Sequence, residues 1–220
     1  MRTGKQKILI LGANGQVGKE LSKRADDFEV NATAFTRTEL DITNSQVVAS
    51  ILENLRPNTV INAAAYTAVD DAENRPEVAY KVNRDAPENL AKICEKLSIP
   101  FIHISTDYVF DGKKSSAYLE DDPVCPLGIY GRSKEAGEAA IRDNTEKYII
   151  LRTSWVYAAH GNNFLRTMMR LANERSELNI VEDQCGVPTC AVDIADALLL
   201  IAKRITNNTL EPLWGTFHYT

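Results

Sequence analysis

Tyr130 and Lys134, in the string YGRSKEAGE of this 220-residue chain, stand at a spacing that supports acid–base chemistry. Four residues apart at the start of a predicted helix, they share one face. A free tyrosine titrates near ~10 and is a poor acid–base catalyst at neutral pH. A neighbouring ammonium favours the phenolate and lowers that value. A phenol tuned in this way can relay a proton to a carbonyl oxygen. A Tyr-x-x-x-Lys pair alone equally describes an ordinary amphipathic helix face, so its weight depends on what precedes it. The string STDYVF, residues 105–110, begins where a predicted strand ends. In open α/β sheets the carboxyl ends of strands build the ligand crevice. Thr106 there is placed to hydrogen-bond a carbonyl beside Tyr130, although a strand-terminating turn with Asp107 accounts for it as well.

Far upstream, LGANGQVG puts Gly12, Gly15 and Gly18 directly after an apolar run and into the following helical pattern. Glycines at these points allow a tight turn, close approach of backbone to a pyrophosphate, and close helix–strand packing. The free N–H groups and the helix dipole then hold the phosphates. A glycine cluster carries little by itself, but the strand–turn–helix context makes this one a dinucleotide loop. The end of the next strand meets the adenosine ribose, where an acidic residue favours NAD and an arginine favours NADP. In AFTRTELDI, Arg37 occupies that place and no carboxylate comes before Glu39, which leans toward NADPH over NADH. Arg37 also fits a solvated loop. Asp41 and Ile42 follow, where the chain can reach the adenine. An oxidised nicotinamide near Tyr130 would add to the pull of Lys134 on the phenol.

The elements that must position these residues alternate. Apolar strand-like runs fall at 8–11, 28–35, 59–61, 101–104 and 148–151, and helical patterns at 15–24, 45–55, 77–97 and within 127–144. Pro87 should kink the 77–97 helix by removing a backbone donor. Strands alternating with helices predict an α/β fold, a Rossmann-type doubly wound parallel sheet. Past residue 153 the pattern loosens, with helices expected at 162–173 and 192–205 and short strands at 178–181 and 214–218. We divide the chain into a dinucleotide-binding part, 1–155, and a small C-terminal substrate part, 156–220, interleaved with the Rossmann core. GTFHY is an apolar strand with no helix after it, so the substrate part is expected to be incomplete.

Composition removes several classes. A net charge of −5 with 25% charged residues argues against a nucleic-acid binder, which needs a basic face. The four cysteines, Cys94, Cys125, Cys185 and Cys190, form no CxxC pair and have no histidine at metal-ligand spacing, so reduced thiols of a cytoplasmic protein are expected. The apolar run after MRTGKQK is too short for a signal peptide or a membrane span.

The strings GANGQVG, NAAAYTAVDDAE, STDYVFDG, YGRSKEAGE, LRTSWVYA, GNNF and DQCGVPT occur together and in order. In this the chain resembles the extended short-chain dehydrogenase/reductase superfamily and, within it, the dTDP-4-dehydrorhamnose reductases. The likeness runs over nearly the whole chain. It implies a catalytic trio of Thr106, Tyr130 and Lys134, and a dinucleotide loop of Gly12, Asn14, Gly15, Gln16 and Val17. Asp41 and Ile42 match the adenine-contacting pair, and Ala63, Ala64, Ala65 and Tyr66 the run beside the cofactor riboses. Tyr108 and Trp155 match positions facing the sugar, and Asn163 and Gln184 motifs bordering the sugar-nucleotide pocket. Core packing accounts for part of the Trp155 stretch. The resemblance implies reduction of a 4-keto nucleotide sugar by NADPH or NADH for cell-surface polysaccharide synthesis, and leaves room for a homodimer. Members that hold Mg2+ at a dimer interface carry acidic residues for it, and no such set is matched here. Two alternatives keep the same motifs: a nucleotide-sugar epimerase or dehydratase with bound NAD, and a non-catalytic NADP-binding regulatory subunit.

Overall fold

The computed structural model describes residues 5–180, 182, 184–207 and 214–220. The chain opens with β1 (Gln6–Leu11), whose last four residues are all buried. Helix α1 (Gln16–Arg24) and strand β2 (Val30–Phe35) follow, with a 3-10 turn at Ala25–Phe28 between them. Next come α2 (Ser45–Leu55) and the fully buried β3 (Thr59–Asn62). The segment after β3 holds α3 (Val69–Asn74), α4 (Pro76–Tyr80) and α5 (Ala86–Leu97). β4 (Phe101–Thr106), α6 (Ile129–Asn144) and β5 (Tyr148–Thr153) complete the alternation. The remainder contributes β6 (Val156–Tyr157), α7 (Phe164–Glu174), β7 (Thr189–Cys190), α8 (Ala191–Asn207) and β8 (Gly215–His218).

Six strands form one parallel sheet in the order β2-β1-β3-β4-β5-β8, and β6 pairs with β7 in a separate two-stranded ribbon. Alternate residues of the central strands feed two cores, as the period of two requires. Ile8 and Ile10 pack with Val17 and Leu21 of α1 and with Ile194 and Leu198 of α8. Leu9 and Leu11 pack with Val48 and Leu52 of α2, Leu90 of α5 and Ile141 of α6. The doubly wound sheet expected from the sequence is therefore present. Its C-terminal elements belong to the same layers, since α8 packs on α1 and β8 extends the sheet beside β5. The winding of the sheet switches sides between β1 and β3, with β2 added on one side and β3, β4 and β5 on the other, which opens a crevice above their carboxyl ends.

Three local readings change. Residues 178–180 are irregular, and residue 181 of the strand expected there lies outside the described residues. The β6–β7 ribbon was not anticipated, because two-residue strands leave no periodicity to read. The long helix at 77–97 breaks one turn before Pro87, into a π-helical turn at Lys81–Asp85. Pro87 has no N–H for the Asn83 carbonyl, so the ladder widens and the Ala86 N–H reaches back five residues to the Lys81 carbonyl. The freed Asn83 carbonyl then lies against α6, where a Cβ on Gly137 would sit 2.0 Å from it. That neighbour is backbone and cannot yield. Gly137→Ala should therefore lower unfolding free energy by ~2 kcal/mol or more, read by denaturant titration; an unchanged midpoint would contradict this packing.

Candidate active site

At the crevice, the Gly12 and Ala13 N–H groups both donate to the Phe35 carbonyl at 3.0 Å, tying the turn after β1 to the end of β2. Gly12 has φ +82, and a Cβ there would lie 2.6 Å from the Ala64 nitrogen. A Cβ on Gly18 would lie 2.2 Å from the Gly12 carbonyl oxygen. These two glycines thus let the first turn of α1 press onto the β1 and β3 ends. The Gln16, Val17 and Gly18 N–H groups, which open α1, have no acceptor one turn back, the first such bond being Lys19 N–H to the Gly15 carbonyl, and they would meet an anionic ligand with the helix dipole behind them. The structure has the cradle a pyrophosphate needs.

Asn14, Gly15, Gln16, Val17, Ala63 and Ala65 line one cavity of about 1220 Å³ together with Thr106, Tyr108, Tyr130, Lys134, Trp155 and Gln184. The other expected residues stand apart from its wall. Gly12 is packed beneath it. Arg37 is exposed in the turn after β2, and Ile42 is buried in the core. Asp41 Oδ1 accepts from the Thr43 N–H at 2.9 Å. That bond, with the charges of Arg37 and Lys81 nearby, holds the Asp41 carboxyl below its ordinary range. The Ala64 N–H donates to Asn62 Oδ1. The Tyr66 hydroxyl donates to Asp71.

Asn163 is engaged by the protein on every side. Its Oδ1 accepts from the Arg166 N–H and caps α7, and its Nδ2 donates to Gln16 Oε1 at 2.8 Å and to the Ala158 carbonyl. Gln16 Nε2 in turn donates to the Val156 carbonyl. The dinucleotide loop and the 156–163 segment are thus one hydrogen-bonded wall. Trp155 adopts φ +42, an outlier for an aromatic residue. Its carbonyl accepts from the Thr189 N–H, and the Ser154 hydroxyl donates to the Val187 carbonyl. The strand therefore turns sharply at Trp155 and leaves the indole 39% exposed on the cavity, not packed in the core.

Tyr130 and Lys134 lie on the inward face of α6. Glu73 of α3 accepts from the Ile129 N–H and caps that helix. Asn83 of the π-helical turn fixes its start: Nδ2 donates to the Ser133 hydroxyl and the Tyr66 carbonyl, and Oδ1 accepts from the Tyr66 N–H. The Tyr108 and Tyr130 rings meet edge to face at 5.5 Å. Thr106 Oγ1 donates to Asp107 Oδ1 and accepts from the Tyr108 N–H, capping the turn after β4. Lys134 is 2% exposed, and its Nζ donates to the Ile104 carbonyl at 2.8 Å and lies 3.0 Å from His103 Nε2.

Burial dominates the proton affinities here. It pushes the Tyr130 phenol up to about 12, with Asp107 and Tyr108 adding to the rise and the Thr106 hydroxyl opposing it. This differs from the lowering expected from Lys134. The lysine's ammonium is turned to His103 and the Ile104 carbonyl, and it does not offset the loss of water around the phenolate. Burial also brings Lys134 down to about 8, against the opposing charge of Glu138. Asp107 is raised by the same cause. The pocket thus holds a phenol that keeps its proton at neutral pH and an ammonium ready to release one.

Sequence reading passed over His103, Asn62, Asn83 and the Glu138–Arg152 pair. Three of them left a signal, being polar residues inside apolar strands: His103 in FIHIST, Asn62 in TVIN and Arg152 in YIILRT. Among the described residues there is no group of three or more His, Cys, Asp or Glu able to hold a metal ion, and no helix long and apolar enough to cross a membrane.

Comparison with known proteins agrees with this geometry. The family model described as RmlD substrate binding domain matches residues 6–220. A dTDP-4-dehydrorhamnose reductase of Aggregatibacter actinomycetemcomitans is 46% identical over 218 residues, covering 97% of this chain and 73% of that protein. One from Sinorhizobium fredii is 42% identical over 212 residues, covering 96% and 71%. Among solved structures, the dTDP-4-dehydrorhamnose reductase of Bacillus anthracis str. Ames in complex with NADP superposes with a TM-score of 0.91 at 38% identity, over 98% of this chain and 74% of that one. The chain belongs to the dTDP-4-dehydrorhamnose reductase family, in the extended short-chain dehydrogenase/reductase superfamily.

Proposed function

We propose that this chain is an NADPH-dependent oxidoreductase that reduces the 4-keto group of dTDP-4-dehydro-L-rhamnose, giving dTDP-L-rhamnose. One observation carries the reading: the N-terminus of α1 and the Thr106–Tyr130–Lys134 group face the same cavity, so a pyrophosphate cradle and a proton donor serve one space. Relatives named for this activity support the choice of substrate.

When bound, NADPH supplies the hydride. Asn14, Gly15, Gln16 and Val17 would hold its pyrophosphate, Ala63 and Ala65 its riboses, and Arg37 the adenosine phosphate. Thr106 orients the sugar carbonyl by turning its hydroxyl from Asp107 to the ketone oxygen. Tyr130 gives its proton to that oxygen. An alkoxide is a far stronger base than a phenolate, so the transfer runs downhill even from a phenol at about 12. Lys134 restores the phenol's proton. Tyr108, Trp155 and Gln184 bound the sugar, and Asn163 keeps their wall in place through Gln16. We place the enzyme in the cytoplasm, in keeping with four free cysteines. A homodimer is the assembly to test, by light scattering.

The deciding experiment adds NADPH and dTDP-4-dehydrorhamnose to the purified protein. Consumption of NADPH equal to product formed is expected. A co-purifying NAD with no net consumption would identify an epimerase or dehydratase instead, and nucleotide binding without turnover a regulatory subunit. Trp155→Ala removes the aromatic wall facing the sugar. It should raise KM about tenfold, the equivalent of ~1.4 kcal/mol, with NADPH affinity unchanged. A normal KM would take Trp155 out of the substrate site.

A further inference from the structure

Beneath the active site a buried chain of polar groups runs from the backbone to Lys134. The Ala64 N–H donates to Asn62 Oδ1 at 3.1 Å, which fixes which way the amide faces. Asn62 Nδ2 therefore points its hydrogens at His103 Nδ1, 3.1 Å away. His103 is fully buried. Burial, with Lys134 beside it, holds the imidazole well below its ordinary value, so the ring is neutral and carries one hydrogen. Nδ1 accepts from Asn62, and that hydrogen must sit on Nε2. Nε2 faces Lys134 Nζ at 3.0 Å. A neutral amine can accept an N–H donor, whereas an ammonium has no lone pair to do so.

We propose that His103, locked by Asn62 as the Nε2–H tautomer, is the positioning residue that holds Lys134 Nζ and makes its ammonium readier to give up a proton. The step it serves is balanced: an N–H bond of the Lys134 ammonium breaks, an O–H bond forms on the Tyr130 phenolate, and both groups become neutral. The neutral amine left behind is the form that accepts from Nε2–H. Solvent then reprotonates it. The Ile104 carbonyl, accepting at 2.8 Å, keeps Nζ in place through the cycle. The other titratable or charged groups around this point are Glu138 and Tyr130 on α6, Asp107 and Tyr108 after β4, and Arg152 on β5, which is held on Glu138. β3 contributes Asn62 alone. This inference rests on the reductase reading for its meaning, but its measurements do not require turnover.

The first test is nitrogen NMR of the wild-type enzyme labelled at histidine. The chain has three histidines, and His160→Gln and His218→Gln assign the other two signals. The His103 ring should show a protonated Nε2 and a bare Nδ1 from about pH 6 to about pH 9. A protonated Nδ1, or a titrating ring, would overturn the lock. The second test follows the Lys134 side-chain carbon next to Nζ through a pH titration. In His103→Phe the midpoint should rise by about one unit, because no donor then opposes the ammonium. In Asn62→Asp the carboxylate accepts from Nδ1–H, the tautomer should reverse, and the Lys134 midpoint should rise as well. Midpoints unchanged in both variants would overturn the proposal. A wild type that consumed no NADPH would instead overturn the reductase reading, and the two NMR results would still decide the lock.

Discussion

Tyr130→Phe should lose roughly 10²–10⁴-fold in turnover, the range associated with removing a positioned general acid. The substitution deletes one oxygen and keeps the ring, so the edge-to-face contact with Tyr108 at 5.5 Å survives. The residues that cradle the dinucleotide lie on other elements, and NADPH affinity should stay within about threefold, read by fluorescence titration. Loss of the hydroxyl removes its hydrogen bond with the Thr106 side chain, so unfolding free energy should change by only ~1 kcal/mol. The pH profile gives a second check. A phenol at about 12 stays protonated over the working range, so the basic limb belongs to Lys134, near about 8. A variant that keeps turnover within tenfold of wild type would remove Tyr130 from the chemistry.

Glu138→Ala should cost ~3–5 kcal/mol of unfolding free energy, because it leaves a charged Arg152 buried without its partner. Glu138 accepts from Arg152 Nη2 at 2.7 Å and from Nε at 3.0 Å, and both side chains are almost wholly enclosed. The same guanidinium donates to the Glu120 carbonyl and stacks 5.0 Å from the Phe110 ring, so the pair also seats the 107–122 segment beside the site. Burial opposes the Glu138 charge, but the Arg152 bonds and charge, with Arg142, outweigh it, and the carboxyl titrates below its ordinary value. The sign follows from linkage. A folded value below the unfolded ~4.3 means the contribution is complete above that pH and is lost as pH falls through the folded value. Urea midpoints should show the Glu138→Ala penalty at pH 7 shrinking in acid. Removing both charges, as Glu138→Leu with Arg152→Met, should cost less than the single change. A single-variant penalty under ~1 kcal/mol would show that the pair is not load-sharing in the core.

The sheet was legible because its strands announce themselves. ILIL and TVI are apolar without alternation, as strands buried on both faces must be, and helices fill the intervals between them. The glycine turn was legible because its spacing has few other uses. What the sequence concealed depends on contacts between distant segments. Nothing local tells that Asn83 will meet Ser133, or that the Pro87 break will be transmitted one turn back into a π-helical turn against Gly137. Asn163 illustrates the opposite case. Its motif marks it as a pocket residue, yet its amide is taken up by Gln16, Ala158 and the cap of α7. The proton affinity of Tyr130 was misjudged for a physical reason. Spacing shows that a lysine is near, but it does not show that the lysine's charge is turned to His103 and Ile104 while the phenol loses its water.

The most direct test of hydride transfer to C4 is isotopic. The enzyme is given dTDP-4-dehydrorhamnose and NADPH carrying deuterium on the transferring face of the nicotinamide, and the sugar is read by NMR. One deuterium is expected at C4 of dTDP-L-rhamnose for each NADPH consumed, with Tyr130→Phe giving almost none in the same time. Unlabelled product, label at another carbon, or turnover without loss of NADPH would contradict it.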